Sequence, residues 1–199
     1  ALQHPELTDR FRAVSYFKSG VSFKRIAVTF AARFFEELNP ITMLIAGDIN
    51  PRHHLPAGLG CFYIGVFALS AIGAALVILR HRKDRWWLYV LFGAVVSIVP
   101  GAMTNDHFHT LRMIAYPIFL LVLTIPALSW LLGLEKTPAV DPVADPSASL
   151  RPSRLTAIRQ SILTALLTLT IVQAGHFFWL FHRYGADRGE YFDAGYKVV

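Results

Sequence analysis

Cysteine is almost missing from this chain: Cys61 is the single one among 199 residues. No disulfide within the chain can form, and the place of Cys61 in an apolar run reads as that of a small buried hydrophobe. Charge is scarce as well. Only 16% of residues are charged against 54% hydrophobic, and the mean hydropathy is +0.46. A water-soluble domain of this size would need an unusually large apolar core, a difficulty that a bilayer removes. Acidic residues are the rarer sign, 13 against 19 Lys and Arg, for a net charge of +6. Basic residues beside long uncharged runs face lipid head groups or set topology more often than they bind nucleic acid, so nucleic acid is not an expected partner. The first residues, from Ala1, are polar and show no apolar h-region behind a basic start, so no signal peptide is expected among them, and any insertion signal would lie upstream. There is no Walker loop, dinucleotide glycine fingerprint, HExxH, GxSxG or CxxC. Those absences exclude little for an enzyme whose substrate is carried on a lipid.

What is present is a set of four stretches free of Asp, Glu, Lys and Arg: Gly60–Leu79, Trp86–Asn105, Met113–Leu134 and Gln160–Phe181. Each approaches the ~20 helical residues that a hydrocarbon core requires and is too long for a barrel strand. The expected fold is therefore all-α: a polytopic membrane bundle of four transmembrane helices. Pro100 and Gly101 lie near the end of the second run, as at a helix terminus close to the head groups. Trp86, Trp87, Trp130 and Trp179 sit towards run ends, as interfacial anchors do.

Orientation follows from the short connections. Arg80–Arg85 holds four basic residues in six, whereas Thr104–Arg112 holds one, so the basic turn is expected on the cytoplasmic side. The Glu135–Arg159 connection, with Lys136, Arg151, Arg154 and Arg159, falls on that same side, which leaves both termini extracytoplasmic in the plasma (inner) membrane. Residues 137–153 are rich in Pro, Ala, Ser and Asp and read as a flexible cytoplasmic linker, or else a tethered regulatory segment. Upstream, Ser22–Leu38 places Phe23, Ile26, Ala27, Phe30, Ala31, Phe34 and Leu38 on one helical face and Arg25, Thr29, Arg33 and Glu36 on the other. It is too charged to span and is expected in the outer interface, its apolar side against acyl chains or the bundle. The chain thus divides into an extracytoplasmic segment 1–59, a transmembrane region 60–181 and the start of an extracytoplasmic tail, 182–199.

Two outer segments concentrate polar side chains. In Gly47-Asp-Ile-Asn-Pro-Arg-His-His54, Asp48 suits a sugar hydroxyl, Arg52 a phosphate held by its fork, and His53 or His54 either. The plainer reading is a turn-rich loop whose charges meet water. In Asn105-Asp-His-Phe-His-Thr-Leu-Arg112, the cationic Arg112 at a helix entry is placed to meet a lipid phosphate, or to act as an ordinary interfacial anchor. His107 and His109 share one side of an extended loop but have no third ligand in sequence, so no metal or other cofactor is expected. His176, inside the last run beside Phe177, Phe178 and Trp179, reads as a hydrogen-bonded interfacial residue, with a functional role as the alternative.

The succession Gly47-Asp48, Asn50-Pro51-Arg52-His53, Gly58 and Gly60, a spanning helix, a basic turn, another helix, then His109, Arg112 and Pro117 resembles the GT-C class of integral-membrane glycosyltransferases. More narrowly, it looks like the group of dolichyl-phosphate-mannose protein mannosyltransferases and lipid A aminoarabinose transferases. The likeness runs from about Asp9 to the end, where Tyr191-Phe192-Asp193 is similar to the opening of the extracytoplasmic domain of such enzymes. The resemblance implies transfer of a sugar from a polyprenyl-phosphate donor to an acceptor lipid, glycan or protein on the outer face, with inversion. It further implies Arg112 and His109 as contacts to the carrier phosphate, and Asp48, Arg52 and His53 as a loop shaping the donor or acceptor site. The family's general base lies in an early acidic loop that has no match here. Asp48 does not correspond to it, and the catalytic residues are unassigned. The chain reads as the C-terminal membrane portion of such an enzyme, inactive in isolation. Rival readings are a non-catalytic scaffold subunit and a transporter fragment; the latter would place polar groups at mid-membrane, often in repeated halves.

Overall fold

The computed structural model describes residues 13–18, 20–48, 59–134 and 154–184. The described residues form six α-helices and no strand: α1 (Phe23–Glu37), α2 (Ile64–Arg80), α3 (Arg85–Val96), α4 (Val99–Ala102), α5 (Tyr116–Leu131) and α6 (Arg154–Tyr184). A π-helical turn, Thr42–Ala46, and a 3-10 turn, Thr110–Met113, complete the regular structure. The linker at 137–153 and the tail beyond Tyr184 lie outside the described residues.

The helices follow the apolar runs, with ends that local chemistry explains. The first run is helical only from Ile64, whose backbone N–H has no side-chain cap from Tyr63 and donates instead to Gln173 Oε1 of α6 at 2.8 Å. The polar Gln173 in the last run thereby satisfies a helix N-terminus. The second run bends into α3 and α4. Pro100 has no N–H for the Val96 carbonyl, and the Ile98 N–H steps back to Val95 at 3.3 Å instead of four residues. In α5, Pro126 likewise leaves the Val122 carbonyl without its helical donor. The last helix exceeds its run at both ends, reaching 31 residues.

Two helical stretches are long and apolar enough to cross a membrane, Arg85–Ala102 and Arg154–Tyr184. α2 and α5 are apolar but shorter, at 17 and 16 residues. Large apolar side chains such as Leu79, Phe92, Ile118, Ile171, Val172 and Phe178 stay exposed along these helices. Apolar surface left uncovered on this scale fits membrane association.

The chain forms two compact units. One comprises residues 63–91 and 119–175. Its core is Leu69, Ala127, Leu131 and Leu163, with Ile72, Leu128, Trp130 and Leu166 against it. Helices approach closely where side chains are small: a Cβ on Gly73 would lie 1.7 Å from the Leu123 carbonyl oxygen, and one on Gly65 would lie 2.1 Å from Thr170 Oγ1. Ser70 hydroxyl shares its hydrogen between the Val66 and Leu120 carbonyls, at 2.8 and 2.7 Å. Small residues and an interhelical hydroxyl are how apolar helices associate without a hydrophobic drive between them.

The other unit comprises residues 1–62, 92–118 and 176–199. Here α1 packs on α4, and α4 on the 3-10 turn. Ser22 caps α1 through Oγ, which accepts from the Arg25 N–H at 3.4 Å. The predicted apolar stripe of α1 is half-covered at Ile26, Phe30 and Phe34 and open at Phe23, Ala27 and Ala31. The one fully buried residue of the helix is Glu37.

Candidate functional site

The polar residues of the second unit gather where three short segments meet: the end of α1, the turn after the π helix, and residues 104–113. Gly47 leaves the π turn at φ +73°, a conformation natural to glycine, and delivers Asp48. Asp48 is buried, and its Oδ2 accepts from both the Thr110 backbone N–H, at 3.0 Å, and the Thr110 hydroxyl, at 2.9 Å. The 3-10 turn has no cap from its own flanking residue, His109, so a carboxylate 62 residues away supplies one. Gly60 lets the chain return beside the same turn: its N–H donates to the Leu44 carbonyl at 3.0 Å, and a Cβ would stand 2.2 Å from backbone atoms of Met43 and Leu44.

Arg112 extends from that 3-10 turn. Its Nη2 pairs with Asp106 Oδ2 at 2.6 Å, and its Nη1 donates to Thr104 Oγ1 at 2.7 Å. The Thr104 hydroxyl in turn donates to the Gly101 carbonyl at 2.8 Å, which fixes its orientation. The guanidinium is thus held from two sides while its side chain remains 21% exposed. Between Asp106 and Arg112, Phe108 is buried at φ +24°. A bulky residue in this region costs about 1–3 kcal/mol, a cost sustained here by burial of its ring.

Glu37 lies against Gly101, with its Oε2 buried and lacking a hydrogen-bond partner among the described residues. Burial pushes its carboxyl from 4.5 up to about 7, against a hydrogen bond from the His109 backbone N–H; ionised Glu36 and Asp48 raise it further, while Arg33 lowers it. Consecutive amides, His109 and Thr110, are therefore each engaged by a carboxylate from a different segment, Glu37 and Asp48. Those two grips set the register of the turn that presents Arg112.

At the exposed edge, Arg33 donates to Glu36 Oε2 at 2.8 Å and to the Asn105 carbonyl at 3.2 Å, and His107 Nδ1 hydrogen-bonds Glu36 Oε1. Arg33 Nη1 also stands 2.6 Å from His107 Nδ1. One ring nitrogen does not both donate and accept. Since Arg33 already has Glu36 and Asn105, the proton belongs on Nδ1, directed at Glu36. Burial raises the Glu36 carboxyl, but the hydrogen bonds from His107 and Arg33 outweigh it and hold it below the usual range.

Of the five residues expected from sequence, the fold brings Asp48, His109 and Arg112 into one cluster, while Arg52 and His53 lie outside the described residues. Glu37, Thr104, Asp106, Thr110 and the Arg33–Glu36–His107 trio were not anticipated. One sign of Glu37 was readable: it follows Phe30 by seven and Phe34 by three, so it continues the apolar stripe. His176, by contrast, is exposed and stacks on Trp179 at a centroid distance of 6.1 Å. Among the described residues no group of three His, Cys, Asp or Glu is arranged to hold a metal ion. Compared with known proteins, the chain matches no family model, no curated protein and no solved structure.

Proposed function

We propose that this chain is the membrane portion of a glycosyltransferase that takes a sugar from a polyprenyl-phosphate donor, with Arg112 as the contact to the carrier phosphate. The carrying observation is the joining of the two outer polar segments, with Asp48 capping the turn whose next residues present Arg112. A leaving phosphate gains charge as the glycosidic bond breaks, and a guanidinium pre-set by Asp106 and Thr104 meets that charge with little reorganisation. His109 stands one residue before the same turn. The acceptor is a lipid, glycan or protein, and no catalytic base is assigned within the described residues.

In this reading the apolar helices form a four-span bundle in the plasma (inner) membrane. α2 and α5 reach across with their non-helical flanks, the basic turn Arg80–Arg85 is cytoplasmic and both termini are outside. α1 lies in the outer interface, which suits its open Phe23, Ala27 and Ala31. Membrane-impermeant labelling of a cysteine at Lys83 from the outer side would reverse the topology and remove the site from the outer face.

The test is binding of a polyprenyl phosphate and of the polyprenyl alcohol of equal length to the chain in detergent micelles. The phosphate is expected to bind and the alcohol to bind far less. Arg112→Ala is expected to weaken the phosphate complex by about tenfold or more, the worth of one charge-assisted contact. The same variant in the full-length parent should lower sugar transfer by roughly tenfold or more. Equal binding of the alcohol, or unchanged binding by a folded Arg112→Ala variant, refutes the assignment.

A further inference from the structure

The other unit carries a cation–π pair of its own. Arg159, in the second turn of α6, places its guanidinium carbon 4.5 Å from the centroid of the Trp130 ring at the end of α5. The indole is anchored, since Trp130 packs against the Leu69, Ala127, Leu131 and Leu163 core. Two N–H groups in this pair, Arg159 Nε and Trp130 Nε1, are buried and find no acceptor among the described residues. Guanidinium and indole are both donors only, so neither can satisfy the other. Buried donors of this kind are normally paired, and two in one stacked pair call for an external oxygen ligand.

The charge balance of the unit points to an anion. Among the described residues of this unit the single acid is Asp84, whose carboxylate accepts from the Trp86 N–H at 2.9 Å, whereas Arg80, Arg82, Lys83, Arg85, Arg154 and Arg159 are basic. The position indicates the source of that anion. Trp130 closes an apolar helix, and Arg159 precedes the uncharged stretch 160–181 of a helix long enough to cross a membrane. Arginine and tryptophan at run ends sit at head-group depth.

We propose that Arg159 and Trp130 form a binding site for a phosphate oxyanion, occupied by the head group of an anionic phospholipid. The phosphate oxygens accept from Arg159 Nε and Trp130 Nε1, each bond at about 2.9 Å. The acyl chains then run along the exposed apolar surface of α6 beyond Arg159, where Ile162, Leu167 and Leu169 are open. The choice of a lipid over free phosphate rests on the membrane reading; the oxyanion site does not rest on the glycosyltransferase reading.

Native mass spectrometry of the whole chain released from neutral micelles, with phosphatidylglycerol titrated in, tests the proposal. Wild type should retain phosphatidylglycerol, and Arg159→Gln should weaken retention about tenfold or more. Trp130→Phe, which keeps a ring for stacking and removes only the N–H, should weaken it about threefold or more. Arg154→Gln, an exposed charge outside the pair, should change it less than about twofold. Arg159→Lys retains the charge without Nε and should behave like Trp130→Phe, which separates lost ligation from lost folding. Equal losses in Arg154→Gln and Arg159→Gln would mean diffuse attraction and overturn the site, as would wild-type retention by Arg159→Gln. Binding of inorganic phosphate without phosphatidylglycerol would overturn the lipid assignment.

Discussion

Glu37 makes the stability of this protein depend on pH in a direction opposite to that of most carboxylates. In the folded chain its carboxyl holds a proton up to about pH 7, against 4.5 when unfolded. Below about pH 4.5 both states are protonated and the stabilising difference is fully present. Between 4.5 and about 7 the folded state keeps the proton that the unfolded state has lost, so stability falls as pH rises; above 7 the loss is complete. A shift of this size corresponds to about 3 kcal/mol, and to about 6–12 °C in melting temperature for a chain of this length. Glu37→Gln isolates the effect, because its amide presents a donor and an acceptor like the protonated acid but never ionises. Thermal unfolding of wild type and variant in a neutral detergent from pH 4.5 to 8.5 provides the assay. The variant should be close to wild type at the acid end and more stable at pH 8, by up to that amount. A difference that stays flat across the range would refute the reasoning, since it would mean that the carboxyl titrates alike in the folded and unfolded chain and is not desolvated.

Two further substitutions address packing and the Arg112 pair. Gly73→Ala would drive a methyl to 1.7 Å from the Leu123 carbonyl oxygen, and because backbone there cannot swing aside, α2 and α5 must separate; a loss of about 2 kcal/mol or more in detergent-solubilised stability is expected. Asp106→Asn weakens the pairing that pre-sets Arg112 at 2.6 Å, and polyprenyl phosphate should bind about threefold more weakly or worse. Tighter binding in a folded Asp106→Asn variant would make Asp106 a competitor for the guanidinium instead.

Local signals were strongest where one residue class repeats over a whole helix. The uncharged runs mark α2, the α3–α4 pair, α5 and α6, and Ser22 followed by alternating apolar and basic positions marks α1. The start of α2 was less legible, because a distant partner sets it: Gln173 receives its first amide. Segment 105–112 stood out by its polar side chains, yet nothing in it signals that Thr110 would need a carboxylate from position 48. Glu36 and Glu37 are adjacent and chemically identical, but one titrates low beside Arg33 and His107 and the other high beside Gly101.

Composition and periodicity by themselves determined that this chain is helical and rich in apolar surface, because backbone pairing and side-chain transfer energies act residue by residue along a helix. Which polar groups meet was decided only by tertiary structure. The grip of Asp48 and Glu37 on successive amides, the pairing of Arg112 with Asp106 and the stacking of Arg159 on Trp130 depend on placement to within an ångström or two. Electrostatic and hydrogen-bond energies vary steeply over that distance, and the order of residues along the chain does not encode it.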